Sequence, residues 1–159
     1  MTSEVELPLL DEHTVPAEAT PEEVWIALPE ALSAAFHRSR ARWCAAILGC
    51  DERGGEAAFD AGSGETLAGF RVARSDPPRR LALEGRHRFS RYRLTFEIEP
   101  GGAGSRVRAV THAEFPGFRG ALYRAAVVGS GGHRIVTRRI LASIARRAER
   151  AHSHRKEGS

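Results

Sequence analysis

Lysine is nearly missing from this chain: of its 24 basic residues only Lys156 is a lysine. Long hydrophobic runs are missing as well, and no stretch approaches the roughly 18 apolar residues of a membrane-spanning helix. The opening Met1-Thr2-Ser3-Glu4-Val5-Glu6 lacks the basic start and apolar stretch of a signal peptide, so cytoplasmic residence is the expectation. Cysteine is scarce. Cys44 and Cys50 stand six apart in an expected helix, about 240° around its axis, and are badly set to pair with each other. Two thiols without a nearby His pattern make no zinc site, so they read as small buried side chains. No metal and no cofactor is expected.

What is present describes one domain. A chain of 159 residues, 42% hydrophobic and 28% charged, can bury one sizeable core without staples. Charge is uneven along it. Residues 1–30 hold eight acids and no Lys or Arg, while the rest carries all 24 bases against 12 acids. A basic balance can mean an anionic partner. Arg written for Lys, alongside many Ala and Gly, also fits a GC-rich genome. Nucleic-acid binding is therefore a rival and not the lead.

Residues 1–8 read as a flexible acidic lead, 9–151 as the domain and 152–159 as a disordered tail. Leu9 to Val15 is an expected strand ended by Pro16. Thr20-Pro21-Glu22-Glu23 is a strong helix start: a capping hydroxyl, a proline suited to the first position, and acids at the positive end of the dipole. Pro29 is expected to split this helical stretch into two short helices, the second running to about Leu48 before Gly49. From Gly54 to Pro116 the period becomes two. Glu56–Phe59 is a weak strand, Leu67–Arg74 a firmer one, and Leu81 and Leu83 mark another, with Gly85 as a bulge. Arg91–Glu99 alternates cleanly, Tyr92, Leu94, Phe96 and Ile98 opposing Arg91, Arg93, Thr95, Glu97 and Glu99. Pro100–Gly104 is a hairpin turn into a last strand, Arg106–Phe115, with Val107, Ala109, Thr111, Ala113 and Phe115 inward. Gly120–Val128 is helical, Gly129-Ser130-Gly131-Gly132 interrupts, and a long helix with Val136, Ile140, Leu141, Ile144 and Ala148 in one stripe follows. Strands gathered mid-chain argue for an α+β layer design in which that helix covers an antiparallel sheet.

The stretch Val15-Pro16-Ala17-Glu18-Ala19-Thr20-Pro21-Glu22-Glu23-Val24-Trp25 resembles the opening of the START-like, or SRPBCC, superfamily. Gly69-Phe70-Arg71-Val72, Leu81-x-Leu83 and the basic terminal helix fit the resemblance, which spans about residues 9–150 and is nearest to its uncharacterised bacterial branch. It implies a helix-grip fold: a curved antiparallel sheet of six or seven strands wrapped around a long C-terminal helix, with two short helices after the first strand. It also implies a cavity between sheet and helix that takes lipids, hormones, polyketides or other apolar molecules.

A separate hint of space comes from the last strand, where three of five inward residues are small, opposite a helical region rich in Ala and Gly. Small against small means either close contact or a pocket. Residues expected to line a pocket are Phe36, Trp43, Phe70, Tyr92, Phe96, Ala109, Thr111, Phe115, Tyr123 and Val127; His37 is a further guess. His112 and Glu114 share a strand face, but it is the outer one. His133, after its glycines and beside Arg134, could help hold an anion, although a plain helix kink explains the glycines. The arginines of the terminal helix read as a solvated face that could also meet anionic lipid headgroups at a membrane surface.

No paired acid–base set emerges, and no catalytic residue is assigned. The leading expectation is a binding protein that encloses a small hydrophobic molecule for carriage, storage or sensing. The alternative is a polyketide cyclase or dehydratase-type enzyme using the same cavity. Ligand identity and oligomeric state are not legible.

Overall fold

The computed structural model describes residues 7–46, 62, 66–67, 70–87, 90–129 and 131–158. Its strands are β1 (Leu9–Ala17), β2 (Thr66–Leu67), β3 (Phe70–Asp76), β4 (Arg80–His87), β5 (Ser90–Gly101) and β6 (Gly104–Glu114). Helix α1 (Pro21–Ala46) follows β1, and α2 (Gly117–Val127) and α3 (Gly132–Glu157) follow β6. The strands form one antiparallel sheet in the order β1-β6-β5-β4-β3-β2, five long strands and the two-residue β2. The first strand thus lies beside the last. This is the helix-grip arrangement, an α+β fold in which the long C-terminal helix closes over a curved sheet.

Registration explains the core. Val15, Val107 and Ile98 form one inward row across β1, β6 and β5; His13, Ala109, Phe96 and Leu81 form the next; Asp11, Thr111, Leu94, Leu83 and Val72 a third. Val24, Ala27, Leu28, Ala31 and Leu32 of α1, and Ile140, Leu141, Ile144, Ala145 and Ala148 of α3, bury their stripes with these rows. Each fully buried Leu, Ile or Phe contributes about 1.5–3 kcal/mol. The outer face is held differently. Arg108 bridges Glu12 of β1 and Glu97 of β5, Glu97 also meets Arg80 of β4, and Glu84 meets Arg93 and Arg71.

Several expectations need correction. Pro29 does not divide α1, which is one helix of 26 residues rather than two short ones. Proline costs a helix interior about 3 kcal/mol, but Ala27, Leu28, Ala31 and Leu32 on either side of it are all buried, and that burial outweighs the loss. Pro16 does not end β1 either; it sits in an edge strand with its side chain outward, where a missing donor is tolerated. The single strand expected over 67–74 divides into β2 and β3, which pair with each other. Gly85 stays in register between Phe70 and Tyr92; the irregularity lies between Val72 and Arg74. A side chain at Gly85 would run into the Tyr92 ring, which lies across it. The weak strand at 56–59, Gly49 and Cys50 lie outside the described residues. Helix α3 runs on to Glu157, past the boundary expected at 151.

That extension has a visible cause at the start of α1. Glu23 and Thr20 form a reciprocal capping box, the Thr20 N–H donating to Glu23 Oε2 (2.9 Å) and the Glu23 N–H to Thr20 Oγ1 (3.3 Å). The same buried Glu23 carboxylate takes His152 Nδ1 at 2.8 Å and faces Arg155 at 3.4 Å, both from the last turns of α3. The Thr20 hydrogen bond, ahead of the His152 and Arg155 contacts, holds the Glu23 carboxyl below its ordinary range despite burial.

Candidate functional site

The inner face is largely apolar: Ser105, which donates to the Ala19 carbonyl, sits at one end, and a larger polar cluster lies at the other. Along β1 the inward positions are Asp11, His13, Val15 and Ala17, so the strand that begins the fold turns two ionisable groups toward the helices. Thr111 of β6 stands directly opposite Asp11, and Ala109 opposite His13. From above, the first turn of α3 brings His133. Its Nε2 lies 3.2 Å from Thr111 Oγ1 and 3.3 Å from Asp11 Oδ1. An ionised carboxylate only accepts, so the nitrogen facing it carries the hydrogen.

His13 approaches the other side of the carboxylate, with Nε2 3.5 Å from Asp11 Oδ2. That pair lacks hydrogen-bond geometry, and among the described residues His13 Nε2 is buried without a partner. The side chains are 9% (Asp11), 13% (His13) and 19% (His133) exposed, so all three are largely withdrawn from water yet not sealed. A buried polar atom left unmet costs about 1–3 kcal/mol. One carboxylate between two imidazoles, beside a hydroxyl, can hold a carbonyl or hydroxyl group and can take up or release a proton.

The residues expected to line a pocket fall into three groups. Phe96 and Ala109 are fully buried within the core rows, and Thr111 is buried in the polar cluster. Phe70 and Tyr92 are half-buried neighbours, ring centroids 4.9 Å apart at 65°, on the β3–β5 side of the same face, and Phe115 is half-buried just after β6. Phe36 and Trp43 belong to α1 and Tyr123 and Val127 to α2, but their side chains, like that of His37, lie outside the described residues. His112 and Glu114 alternate with the inward set and pair in register with Arg93 and Arg91 on the outer face, as expected.

Two members of the cluster, Asp11 and His13, escaped the sequence reading although a signal existed. Val15 and Ala17 set the inward parity of β1, and counting back by two reaches both. His133 was legible as unusual for its glycines, and the anion its ring meets is the chain's own Asp11 carboxylate rather than one from outside. A shallow concavity of about 310 Å³ opens at the opposite end of the sheet, walled by Pro16–Glu18 and the β5–β6 turn. Its walls are mostly main chain and small residues; Ser105 among them already donates to the Ala19 carbonyl, and none of Asp11, His13, Thr111 and His133 reaches it.

A family model described as polyketide cyclase / dehydrase and lipid transport matches residues 12–149, nearly the whole described fold. The chain belongs to that family. Membership of that family supports the binding of a hydrophobic molecule. Solved structures share the fold. Protein CV1439 from Chromobacterium violaceum superposes with a TM-score of 0.56 at 17% identity, over 89% of this chain and 99% of that one. A conserved protein from Geobacillus kaustophilus gives 0.53 at 18%, over 88% and 95%. Protein BH1534 from Bacillus halodurans gives 0.53 at 17%, over 87% and 97%. At such identities the likeness is one of fold alone. No curated protein matches the chain. Among the described residues no helix of this family member is long and apolar enough to cross a membrane, and no group of side chains is arranged to hold a metal ion.

Proposed function

We propose that the chain encloses a small hydrophobic molecule between the inner sheet face and the C-terminal helix, with the polar end of that molecule held by Asp11, His13, Thr111 and His133. The observation that carries the reading is His13 Nε2, buried without a hydrogen-bond partner 3.5 Å from the Asp11 carboxylate, in a polar cluster beside the apolar core rows. A ligand hydroxyl or carbonyl would supply the missing partner, and Tyr92 and Phe70 would flank its apolar body. Phe36, Trp43, Tyr123 and Val127 remain further lining residues in this proposal, with Phe96, Ala109 and Phe115 bounding the space.

Native mass spectrometry of freshly purified protein, beside the denatured mass and an organic extract, tests it. The expected result is an extra mass released on unfolding and diminished in His13→Leu. No adduct, together with no uptake of an apolar fluorescent probe, overturns the reading.

A second reading has its own support. Asp11 set between two imidazoles is the acid–base group that a cyclase or dehydratase acting on a polyketide-like substrate would require. Turnover of the extracted molecule by wild type but not by His133→Phe would favour the enzyme over the carrier.

A further inference from the structure

Helix α2 turns an apolar stripe to solvent. At 100° per residue, Phe118, Ala121, Leu122 and Ala125 fall within about 100° of arc. All four are exposed, Phe118 by 86% and Leu122 by 66%. Gly120 falls on the opposite side and is the one buried position among the described residues of α2; any side chain there would strike the Phe115 main chain. The helix therefore presents this apolar stripe to solvent. Arg119 and Arg124, both exposed, flank the stripe on its two shoulders. Ile135, 53% exposed, follows in the first turns of α3 among the exposed Arg134, Arg138 and Arg139.

The charge along this part of the sequence has one sign. From residue 115 to residue 148 the sequence contains seven arginines and no Asp or Glu. An exposed apolar stripe bordered by arginines, with acids excluded over 34 residues, matches the surface of an anionic bilayer: acyl chains for Phe118 and Leu122, phosphate for the guanidinium groups. A second copy of this chain would bring the same positive charge against itself. We infer that α2, with the first turns of α3, docks the protein on anionic phospholipid membranes. Helix α2 starts just after β6 and hands over to α3 beside His133, so the docked surface lies at the same end of the sheet as Asp11, His13 and Thr111. The inference stands on the surface of α2 and does not depend on what, if anything, the interior holds.

Co-sedimentation of the full chain with vesicles of phosphatidylcholine alone, or of phosphatidylcholine mixed with phosphatidylglycerol, tests it. Binding is expected only to the mixed vesicles and should fall steeply with added salt. Phe118→Ser with Leu122→Ser, and separately Arg119→Glu with Arg124→Glu, should each weaken partitioning about tenfold or more. These positions are exposed, so the variants keep the wild-type melting transition, which confirms that the fold is intact. Equal binding to both vesicle types, or binding unchanged in either double variant, overturns the inference. So does a wild-type dimer in sedimentation velocity that Phe118→Ser with Leu122→Ser dissolves while no vesicle binding is seen; the stripe would then belong to a second copy. Loss of vesicle binding without loss of the native mass adduct, or the reverse, separates this inference from the enclosed-ligand reading.

Discussion

Both ends of α3 are held by a carboxylate facing an imidazole, and the two junctions differ in what they leave unused. At the C-terminal end Glu23 accepts from the Thr20 N–H and His152 and faces Arg155, while capping α1 at the same time. Each of its oxygens has a partner, and the junction is a staple between helices. At the N-terminal end Asp11 faces His133 and His13, and one nitrogen, His13 Nε2, stays buried without a match. The chemistry of the two pairs is the same. What separates a structural contact from a candidate site is the surplus hydrogen-bonding capacity.

Removing the staple should have the largest effect. Glu23→Ala deletes half of a capping box and the two contacts to α3, and should cost about 3 kcal/mol in urea unfolding. Next comes the row beside the candidate site. Ala109→Trp forces a large ring into the space between His13 and Phe96 and should destabilise by about 1–3 kcal/mol while abolishing uptake of an apolar probe. A variant that unfolds no more easily and still takes up the probe would mean that the inward register of β6 does not bound the ligand space. His13→Leu sharpens the comparison from the other side. Replacing an unmatched buried nitrogen by an aliphatic group should leave stability unchanged or raise it by about 1 kcal/mol, whereas ligand retention falls. A clear loss of stability in His13→Leu would make the second junction a staple like the first.

Acid should narrow the difference between wild type and Glu23→Ala. The Glu23 carboxyl titrates below its ordinary value of 4.5 in the fold, so its stabilisation is complete above that value and disappears as the pH falls through the lower, folded one. Melting curves of the two proteins measured down through the carboxylate range should converge. The smallest effect belongs to the outer face. Glu12 is also held below its ordinary range, chiefly by the Arg108 hydrogen bond, but it is solvent-exposed, and Glu12→Ala should lie within the scatter of surface substitutions in the same assay.

Much of this fold was readable because its apolar residues keep strict time. The alternation of Tyr92, Leu94, Phe96 and Ile98, and the stripe of Ile140, Leu141, Ile144 and Ala148, are where periodicity puts them. Strand β1 was harder for a physical reason. Its inward positions begin with Asp11 and His13, so the rule that apolar means inward fails at the polar cluster. Pro29 misled because local propensity is weaker than the burial on both sides of it. The pairing of His133 with Asp11 joins residues 122 apart in sequence, and no local pattern carries such a contact.

The adjacency of β1 and β6 has a consequence for how the molecule assembles. Glu12 and Arg108, which meet across that pairing, are 96 residues apart along the chain. Among the described residues β1 has β6, the last strand made, as its neighbour, so it must wait, with His13 and Val15 uncovered, until the chain has been synthesised past residue 114. The hairpins from β3 to β6 can zip up from local contacts, but the sheet gains its first strand only at the end, together with the helix that lies over it. The polar cluster is therefore among the last parts of the molecule to form. A nascent chain released before α3 emerges would lack His133 and the helix that covers Asp11, His13 and Thr111.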